Sequence, residues 1–569
     1  MNIIKRKSDK KQADKLAKQY KVSSDIISFL LGRNVPEDVI PLLISSEEHE
    51  LMPHDSLKNI PEATDVINKY LVNDNATIYI FGDYDSDGVN ATYIMYTGLV
   101  ELAEALESKV EIHYYLPNRE EGYGLSMDWC KSIVDGRDIV NDTLVITVDN
   151  GITKVEEVEY LGLHGIETII TDHHQPQEYV PDCIIVDAHL NDTRSTNACG
   201  LCGAAVAFKV IAHLYQNVYD YDTMYIKKYV AHVGIATITD MMPFTKENVI
   251  FVSNTLKYLN DFPYEGHDYC PVVESLYYYA EANKGNKIKA KDIAFGLGPQ
   301  INSCGRMGNI DIAMNFMKAT DEEELEDRYI QMDNMNTERK QKTLLLSTMI
   351  EEPASTDLAI VIKLENCEGI AGAVASNLCD KYGMPTIVFN DSDNIISGSA
   401  RAPEGYSLMD LFNATGCQFE AGGHEQAAGI SIRNENFETF KKAFNKAVAT
   451  TPVATCLSND IYVDEIITES DINKYKINQY DKVLFFNEFT RPVYGLENIQ
   501  ITGYHTSKNN PNNICFHIKN KSKEVKVWCW GFTNTYKALG EPTMVNLVGS
   551  LELFNNMIVI DIVNMEAVQ

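Results

Sequence analysis

Five short apolar runs, "TIYIF", "KVEIHYYL", "LVITV", "ETIIT" and "CIIVD", fall between Thr77 and Asp187 and alternate with longer amphipathic stretches. Runs this short, rich in Val and Ile and lacking polar alternation, suit strands buried on both faces. Amphipathic spacers between them suit crossover helices. The region therefore reads as a parallel sheet of βαβ units, an α/β fold. Such a sheet restricts where chemistry can sit, because ligands bind beyond the carboxyl ends of its strands. Polar residues cluster there: Asp83 and Asp85 after the first run, Asp149-Asn150-Gly151 after the third, Asp172-His173-His174 after the fourth, and Asp187 at the end of the fifth. Asp240 follows a further apolar stretch, "AHVGIATIT".

Asp83, Asp85 and Asp87 place three like charges on one turn, "DYDSDG". Folding alone gives no reason for this, and a bound cation does. The plainer reading is an Asp/Gly turn or part of a calcium loop. A calcium loop needs a glutamate at its twelfth position, and the stretch "NATYI" that reaches it here has none. Adjacent histidines often lie on a surface, so "TDHHQP" by itself says little. Taken with "VDNG" on the strand end between them, the segments predict carboxylates and imidazoles at one site. That donor set, with no cysteine in it, suits Mn²⁺ or Mg²⁺. Two ions about 3.5–4 Å apart, bridged by a carboxylate, can activate water and stabilise the leaving oxygen of a phosphoester.

A chain of 569 residues is long enough for several domains. Its net charge of −32 repels nucleic acid in bulk, so a nucleic-acid enzyme of this composition needs a local basic groove, divalent metals or both. No apolar run is long enough to span a bilayer, and the basic start "MNIIKRKSDKKQADKLAKQYK" lacks the apolar core of a secretory signal. It reads as a solvated arm or a polar first helix. The twelve cysteines are scattered; Cys199 and Cys202 form the one close pair, with no second pair at zinc spacing, so free thiols in a reducing cytoplasm are expected.

The remaining pattern predicts five regions. Residues 1–75 form an N-terminal helical segment and 76–305 the parallel-sheet domain. Residues 306–355 form a charged connecting helix and 356–450 a second, smaller α/β domain with the glycine cluster "AGGHEQAAGI". Residues 456–569 carry several short strands at regular spacing, a small barrel or sandwich. Trp528 and Trp530 share a strand face there, either to stack bases or to fill the core. Lys508, Lys519, Lys521, Lys523 and Lys526 make a local basic patch.

The series "GDYDSDG", "VDNG", "TDHH" and "GIATITD", in that order, resembles the motifs of the DHH phosphoesterase superfamily, most closely its RecJ branch of single-strand-specific exonucleases. "LLGRNV", "LCGAAVAFKV", "FGLGPQINSCGRMG", "MNTERK", "GSARAPEGYSLMDLF" with "AGGHEQAAG", and "FFNEFTRPVY" resemble later parts of the same branch, so the likeness covers nearly the whole chain. It implies a DHH domain and a DHHA1 domain joined by the long helix, with a C-terminal OB-like barrel. It also implies hydrolysis of single-stranded DNA from the 5′ end with release of mononucleotides, in DNA repair and recombination, using two Mn²⁺ or Mg²⁺ ions. A helicase or a single-strand-binding protein is the implied kind of protein partner. Asp85, Asp149, His173 and Asp240 match the ligands of one metal, and Asp83 with bridging Asp149 those of the second. Asp87 is a ligand or a support for the turn. His174 lies near the scissile phosphate, and Asp172 orients the histidines. Arg306 matches a phosphate-binding arginine. Ser399, Arg401, Gly422, Gly423 and His424 match DHHA1 residues that hold the nucleotide chain.

Plainer roles stand beside these: a turn cap for Asp187, a salt bridge for Arg306, a turn position for His424. Two departures from the branch stand out. Tyr79 and Phe81 occupy the neighbourhood where many relatives carry a histidine, and Asn366-Cys367 replaces the usual Trp-His. The rival expectations are a DHH phosphodiesterase acting on short oligonucleotides or cyclic dinucleotides, and a replication scaffold without catalysis. The second requires lost metal ligands, and here the core ligands remain.

Overall fold

The five apolar runs form the strands of one parallel sheet: β1 (Ala76–Phe81), β2 (Glu111–Tyr115), β3 (Asp142–Val148), β4 (Glu167–Thr171) and β5 (Ile184–Val186), in the order β2-β1-β3-β4-β5. The computed structural model describes residues 2–45, 47–136, 142–190, 200–221, 227–261, 271–272, 274–275, 287–354, 356–451, 460–508, 510–520, 523–554 and 557–568. Residues 50–456 make one compact unit; residues 1–49 and 457–569 make another.

The sheet is apolar on both faces because both are covered. Ile78, Ile80, Leu144, Ile146 and Ile169 pack against helices α1 (Ile60–Leu71), α2 (Ser86–Ala105) and α3 (Gly203–His213). Phe81, Val145, Ile170 and Ile185 pack on the other side against Trp129, Val158 and Leu161. Register then sets the function. Phe81 pairs with Tyr115 and with Thr147, Val148 with Thr171, and Thr171 with Val186, so the strands end flush. The residues after them leave the sheet along one edge. The stretch before Asp240 is instead helix α4 (Lys227–Thr239), buried nearly all round, which explains its lack of strand period. Tyr79 and Phe81 face Trp129 as core aromatics.

Helix α5 (Gly298–Arg306) carries the Gly-Arg motif. The charged segment is helix α6 (Glu322–Thr348), capped by Asp321, with Leu325, Met332, Asn336 and Thr343 on its buried face. A second sheet follows in the same unit: β6 (Ile360–Leu364), β7 (Thr386–Asn390), β8 (Ile395–Arg401), β9 (Glu420–Gly423) and β10 (Ala427–Arg433), ordered β9-β10-β8-β7-β6, with helix α7 (Ala371–Tyr382) after β6. Cys367 is fully buried, its thiol on the carbonyls of Leu364 and Phe389, so the residue standing at the family's histidine position is a packing residue.

In the other unit, β11 (Val493–Thr506), β12 (Ile514–Asn520), β13 (Lys523–Cys529), β14 (Met544–Phe554) and β15 (Met557–Ala567) run β11-β12-β13-β15-β14, and β14 pairs back onto β11. This closes a five-stranded barrel, with a helix (Thr533–Ala538) between β13 and β14, an OB-like arrangement. Closure removes the edges that would otherwise recruit foreign strands.

The N-terminal 75 residues do not stay together as one helical segment. Asn2–Lys5 is a strand, paired in parallel with Asp460–Val463. Helices Lys10–Tyr20 and Ser24–Gly32 belong to the barrel's unit, whereas α1 lies in the core of the parallel sheet. Arg33 fixes the first group. Its Nε and Nη2 donate to Asp464 Oδ1 and Oδ2 at 3.0 and 2.7 Å, and its guanidinium lies over the Phe29 ring. Asp464 is buried and also accepts from Val493 N. Arg6 Nε also stands 3.5 Å from Asp464 Oδ1, so Arg33→Ala removes the bidentate partner and leaves this longer contact, and a loss of about 2–4 kcal/mol is expected in urea unfolding of the full chain followed by tryptophan fluorescence. A loss under about 1 kcal/mol would reduce the pair to an ordinary surface bridge.

Candidate metal centre and phosphate cradle

The flush strand ends bring together residues that lie far apart in the chain. Asp85 caps α2, its Oδ1 accepting from Asp87 N and Gly88 N. Asp149 follows β3 in a left-handed conformation, φ +63°, which turns it away from the strand. His173 Nε2 stands 3.0 Å from Asp149 Oδ1, 3.6 Å from Asp87 Oδ2 and 3.8 Å from Asp240 Oδ2. Asp83, Asp85 and Asp149 each offer an oxygen within 4.8 Å of the others. Asp149 also has ligand-range neighbours in His173 and His174. Gly203, the first residue of α3, has to be glycine here: a Cβ would sit 2.5 Å from Asp149 Oδ1.

The donor set fits a divalent cation on two further grounds. Asp83 Oδ1 and Asp149 Oδ1 are buried and accept no hydrogen bond, although His173 Nε2 is only 3.0 Å from the second. Buried charges are expected to be paired or to hold metal. The protonation states agree. Burial, followed by the charges of neighbouring aspartates, pushes Asp83 and Asp149 well above the usual carboxylate range and Asp240 up to about 9. Burial holds His173 below the usual range, leaving a neutral imidazole able to ligate.

Asp172 has the orienting role expected of it. Its Oδ2 accepts from Ile152 N, and its Oδ1 from His173 N and from His174, whose Nδ1 is 2.8 Å away. Burial alone would lower the His174 value, but the bond to Asp172 and the surrounding carboxylates raise it to about 9, so His174 is an imidazolium at neutral pH. Asp187 does cap the next turn, Oδ1 accepting from His189 N; its Oδ2 is buried without a partner. Asp87, expected among the metal ligands, forms with His173 and Asp240 a group whose ligand atoms lie within 4.8 Å of one another, and it has a structural task as well. Both its oxygens accept backbone N–H groups at the start of α3, from Gly203 at 2.6 Å and Ala204 at 2.8 Å.

Four arginines lie near one another beside the centre: Arg119 and Arg306 are close enough to interact with Asp83 and Asp85 respectively, Arg339 interacts with Arg306, and Arg401 with Arg119. Arg306 donates to Gly369 O beside the N-terminus of α7. Gly369 has φ +69°, and a side chain there would strike Arg306 O. Arg119 lies over the Tyr84 ring, 5.3 Å from its centroid. Burial and the charges of Arg119 and Arg339 lower Arg306 to about 10, and burial with Arg119 also lowers Arg401. Arg339 bonds Asn336 and Arg401 bonds Ala400 O, so the hydrogen-bond partners of Arg306, Arg339 and Arg401 are neutral groups. Ser399 and Arg401 flank Gly372 in α7: a Cβ built there would lie 3.4 Å from Ser399 Oγ and 3.1 Å from Arg401 Nη2. Gly422, Gly423 and His424 are exposed on the β9–β10 turn, and among the described residues no hydrogen bond or ion pair joins them to the metal cluster. Gly423 has a hairpin reason to be glycine, φ +140° with its Cβ position 2.5 Å from Ala427 O.

Arg119, Arg339 and Tyr123 escape sequence reasoning. Tyr123 OH donates to Asp149 O at 3.1 Å and lies 3.0 Å from His174 Nδ1. The strand-end rule would have flagged Arg119, since it follows β2 by four residues. On the barrel, Trp528 and Trp530 stack at 5.9 Å, and Trp530 is exposed, so the pair lies on the outer face and not in the core. Cys199 and Lys521 lie outside the described residues.

The comparisons agree with this architecture. Residues 77–237 match the DHH family, N-terminal domain, and 357–450 match the DHHA1 domain. The single-stranded-DNA-specific exonuclease RecJ of Bacillus subtilis is 25% identical over 559 residues, 96% of this chain and 68% of that protein. The structure of Thermus thermophilus RecJ in complex with Mn²⁺ superposes with a TM-score of 0.78 at 20% identity, covering 100% of this chain and 79% of that one. An exonuclease RecJ bound to manganese superposes at 0.57 with 25% identity, covering 71% and 97%.

Divalent cation should relieve the carboxylate repulsion. Asp240, raised to about 9 when folded, contributes stability in its protonated form below the unfolded carboxyl value of about 3.9. That contribution is lost as pH rises through the folded value. The metal-free protein should therefore weaken from pH 6 to 8, while Mn²⁺ binding strengthens as protons leave. At a concentration about 100 times the Kd at pH 8, Mn²⁺ should raise Tm by about 3–6 °C near pH 8, and the same concentration should raise it by less near pH 6. Equal increments at both pH values in thermal melts would contradict this.

Proposed function

With a DHH domain at 77–237 and a DHHA1 domain at 357–450, the chain is a RecJ-type member of the DHH/DHHA1 phosphoesterase superfamily, and we propose that it hydrolyses single-stranded DNA, releasing mononucleotides from the 5′ end with the aid of two divalent cations, Mn²⁺ or Mg²⁺. The observation that carries this is the juxtaposition, in one unit of a very acidic chain, of buried carboxylates that among the described residues make no ion pair with a lysine or arginine and of arginines whose hydrogen-bond partners are neutral groups. The first set needs cations; the second needs phosphate.

Asp85, Asp149, His173 and Asp240 would hold one ion, and Asp83 the second with Asp149 shared between them. Bound there, the ions supply an activated water and offset charge on the phosphoryl oxygens. Asp87 acts as a support, joining α2 to α3 so that Gly203 can lie against Asp149. His174, held protonated by Asp172 and bonded to Tyr123, presents an N–H donor to the phosphate. Arg306 offers a planar pair of donors to the non-bridging oxygens. Arg119, Arg401 and Ser399 extend the cradle from the metal centre towards α7, where a second phosphate of the strand would sit. Trp530, exposed and stacked on half-buried Trp528, offers a base-stacking surface on the barrel.

The described cysteines are all free, which fits a reducing cytoplasm, and no described helix is long and apolar enough to cross a membrane. Work in DNA repair and recombination, on strands exposed by a helicase or coated by a single-strand-binding protein, fits the same reading.

The test is cleavage of 5′-labelled single-stranded DNA with Mn²⁺, beside a 3′-labelled copy, a duplex and an RNA. Immediate release of labelled mononucleotide from the 5′-labelled single strand is expected. Asp149→Ala should abolish it, and Arg306→Ala should lower kcat by about 10²–10³-fold. Hydrolysis confined to di- to tetranucleotides would transfer the protein to the oligonucleotide class, and hydrolysis of neither would remove the enzyme reading.

A further inference from the structure

We propose that the barrel carries a second metal site, in which His505, Cys515 and His517 hold one divalent cation of the zinc class, chemically distinct from the carboxylate centre. The three residues lie on neighbouring strands β11 and β12. His505 is directly paired with Cys515, and His517 lies two residues further along β12, on the same face as Cys515. The alternate residues Ile514, Phe516 and Ile518 fill the barrel core. The strand period therefore turns all three candidate ligands outward together.

The candidate ligand atoms all lie within 4.8 Å of one another. A tetrahedral zinc site with nitrogen at 2.0–2.1 Å and sulfur near 2.3 Å separates its donors by about 3.3–3.7 Å, so only small side-chain adjustments are needed. His505 Nδ1 and His517 Nε2 already approach to 2.9 Å. The other nitrogen of His517 is held by a carboxylate: Nδ1 is 2.9 Å from Glu524 Oε1, and Thr502 Oγ1 donates to Glu524 Oε2. A carboxylate on Nδ1 keeps the proton there and leaves the Nε2 lone pair facing His505 and Cys515. That is the usual support behind a metal-binding imidazole. Cys515 Sγ is buried, and its only hydrogen bond among the described residues is a long one of 3.9 Å to Phe516 O. On binding, the thiol proton leaves to solvent and the thiolate takes its place as the ligand.

The donors choose the ion. Two imidazoles and a thiolate favour Zn²⁺ over Mn²⁺ or Mg²⁺, which the all-carboxylate and imidazole centre suits. Three protein ligands leave a fourth position open to solvent oxygen. Trp528 stands edge-on to His505, with ring centroids 5.4 Å apart, so a bound transition metal would lie close to an indole.

Co²⁺ serves as the probe, added to the full-length chain after chelation. Coordination by Cys515 should give a thiolate-to-cobalt charge-transfer band, with one equivalent saturating, intense tetrahedral visible bands, and reversal by Zn²⁺. The carboxylate centre has no sulfur and cannot give the charge-transfer band, so Asp149→Ala should retain it. Cys515→Ser should remove it. His505→Asn, at an exposed position, should weaken Co²⁺ affinity at least tenfold, and Glu524→Gln should weaken it by about 10–100-fold. Absence of the band at saturating Co²⁺, or its persistence in Cys515→Ser, would overturn the proposal, as would unchanged affinity in His505→Asn.

Discussion

Burying several carboxylates at one sheet edge is the constraint around which the larger unit is arranged. Asp83, Asp149 and Asp240 repel one another where water screens little, and no lysine or arginine makes an ion pair with any of them among the described residues. A fold can carry such a cluster only if something external neutralises it or the groups stay protonated. The surrounding structure holds the geometry ready for the first outcome. Flush strand ends fix the spacing, Asp87 fastens α3 against α2, and Gly203 lets Asp149 lie against the helix start. Asp172 does for the histidines what Asp87 does for the helices: it takes up backbone and ring donors so that His173 keeps a free nitrogen towards the carboxylates.

Positive charge is placed one layer out. Pairing the arginines directly with the aspartates would neutralise both and leave nothing to bind. Instead Arg306 is turned onto Gly369 O, Arg339 onto Asn336 and Arg119 onto the Tyr84 ring. Burial, with the charges of Arg119 and Arg339 added to it, lowers Arg306 to about 10, yet it stays charged at any pH the protein would meet. Carboxylates inside and guanidiniums around them make a surface of alternating sign, complementary to a metal ion clasped by a phosphodiester.

The sheet and the ligand edge were legible because both follow from strand burial and from the rule that ligands gather at carboxyl ends of strands. Asp85, Asp149 and His173 each follow a strand, so the spacing marked them; Asp240 follows helix α4, and only the apolar stretch before it and the motif series pointed to it. Arg119 lies within reach of the strand-end rule, four residues after β2, but Tyr123 lies farther along with no periodicity to mark it, and Arg339, although inside the quoted "MNTERK" segment, lies mid-helix among other charges. Asp87 shows what sequence cannot separate: in "DYDSDG" it is equivalent to its neighbours, and only the arrival of the α3 N-terminus tells it apart. The pairing of Asn2–Lys5 with Asp460–Val463 was hidden for another reason. It joins segments 458 residues apart, and local pattern carries no information about partners so distant. The tryptophans were ambiguous because alternation gives two faces without saying which is inside; barrel closure decides it.

A chain of net charge −32 that binds a polyanion must do so at short range. At physiological ionic strength, exposed charges are screened beyond a Debye length of about 8 Å. The acidic surface therefore repels DNA over only the last few ångströms of approach, and the arginine cradle and bound cations act within that same distance. Attraction is strongest where the arginine cradle and the cations lie together, which favours a threaded strand end over a duplex lying along the surface, since a duplex would bring many phosphates against acidic protein for each one it placed in the cradle. Selection for single strands can thus arise from where the cradle lies, before any steric filter acts.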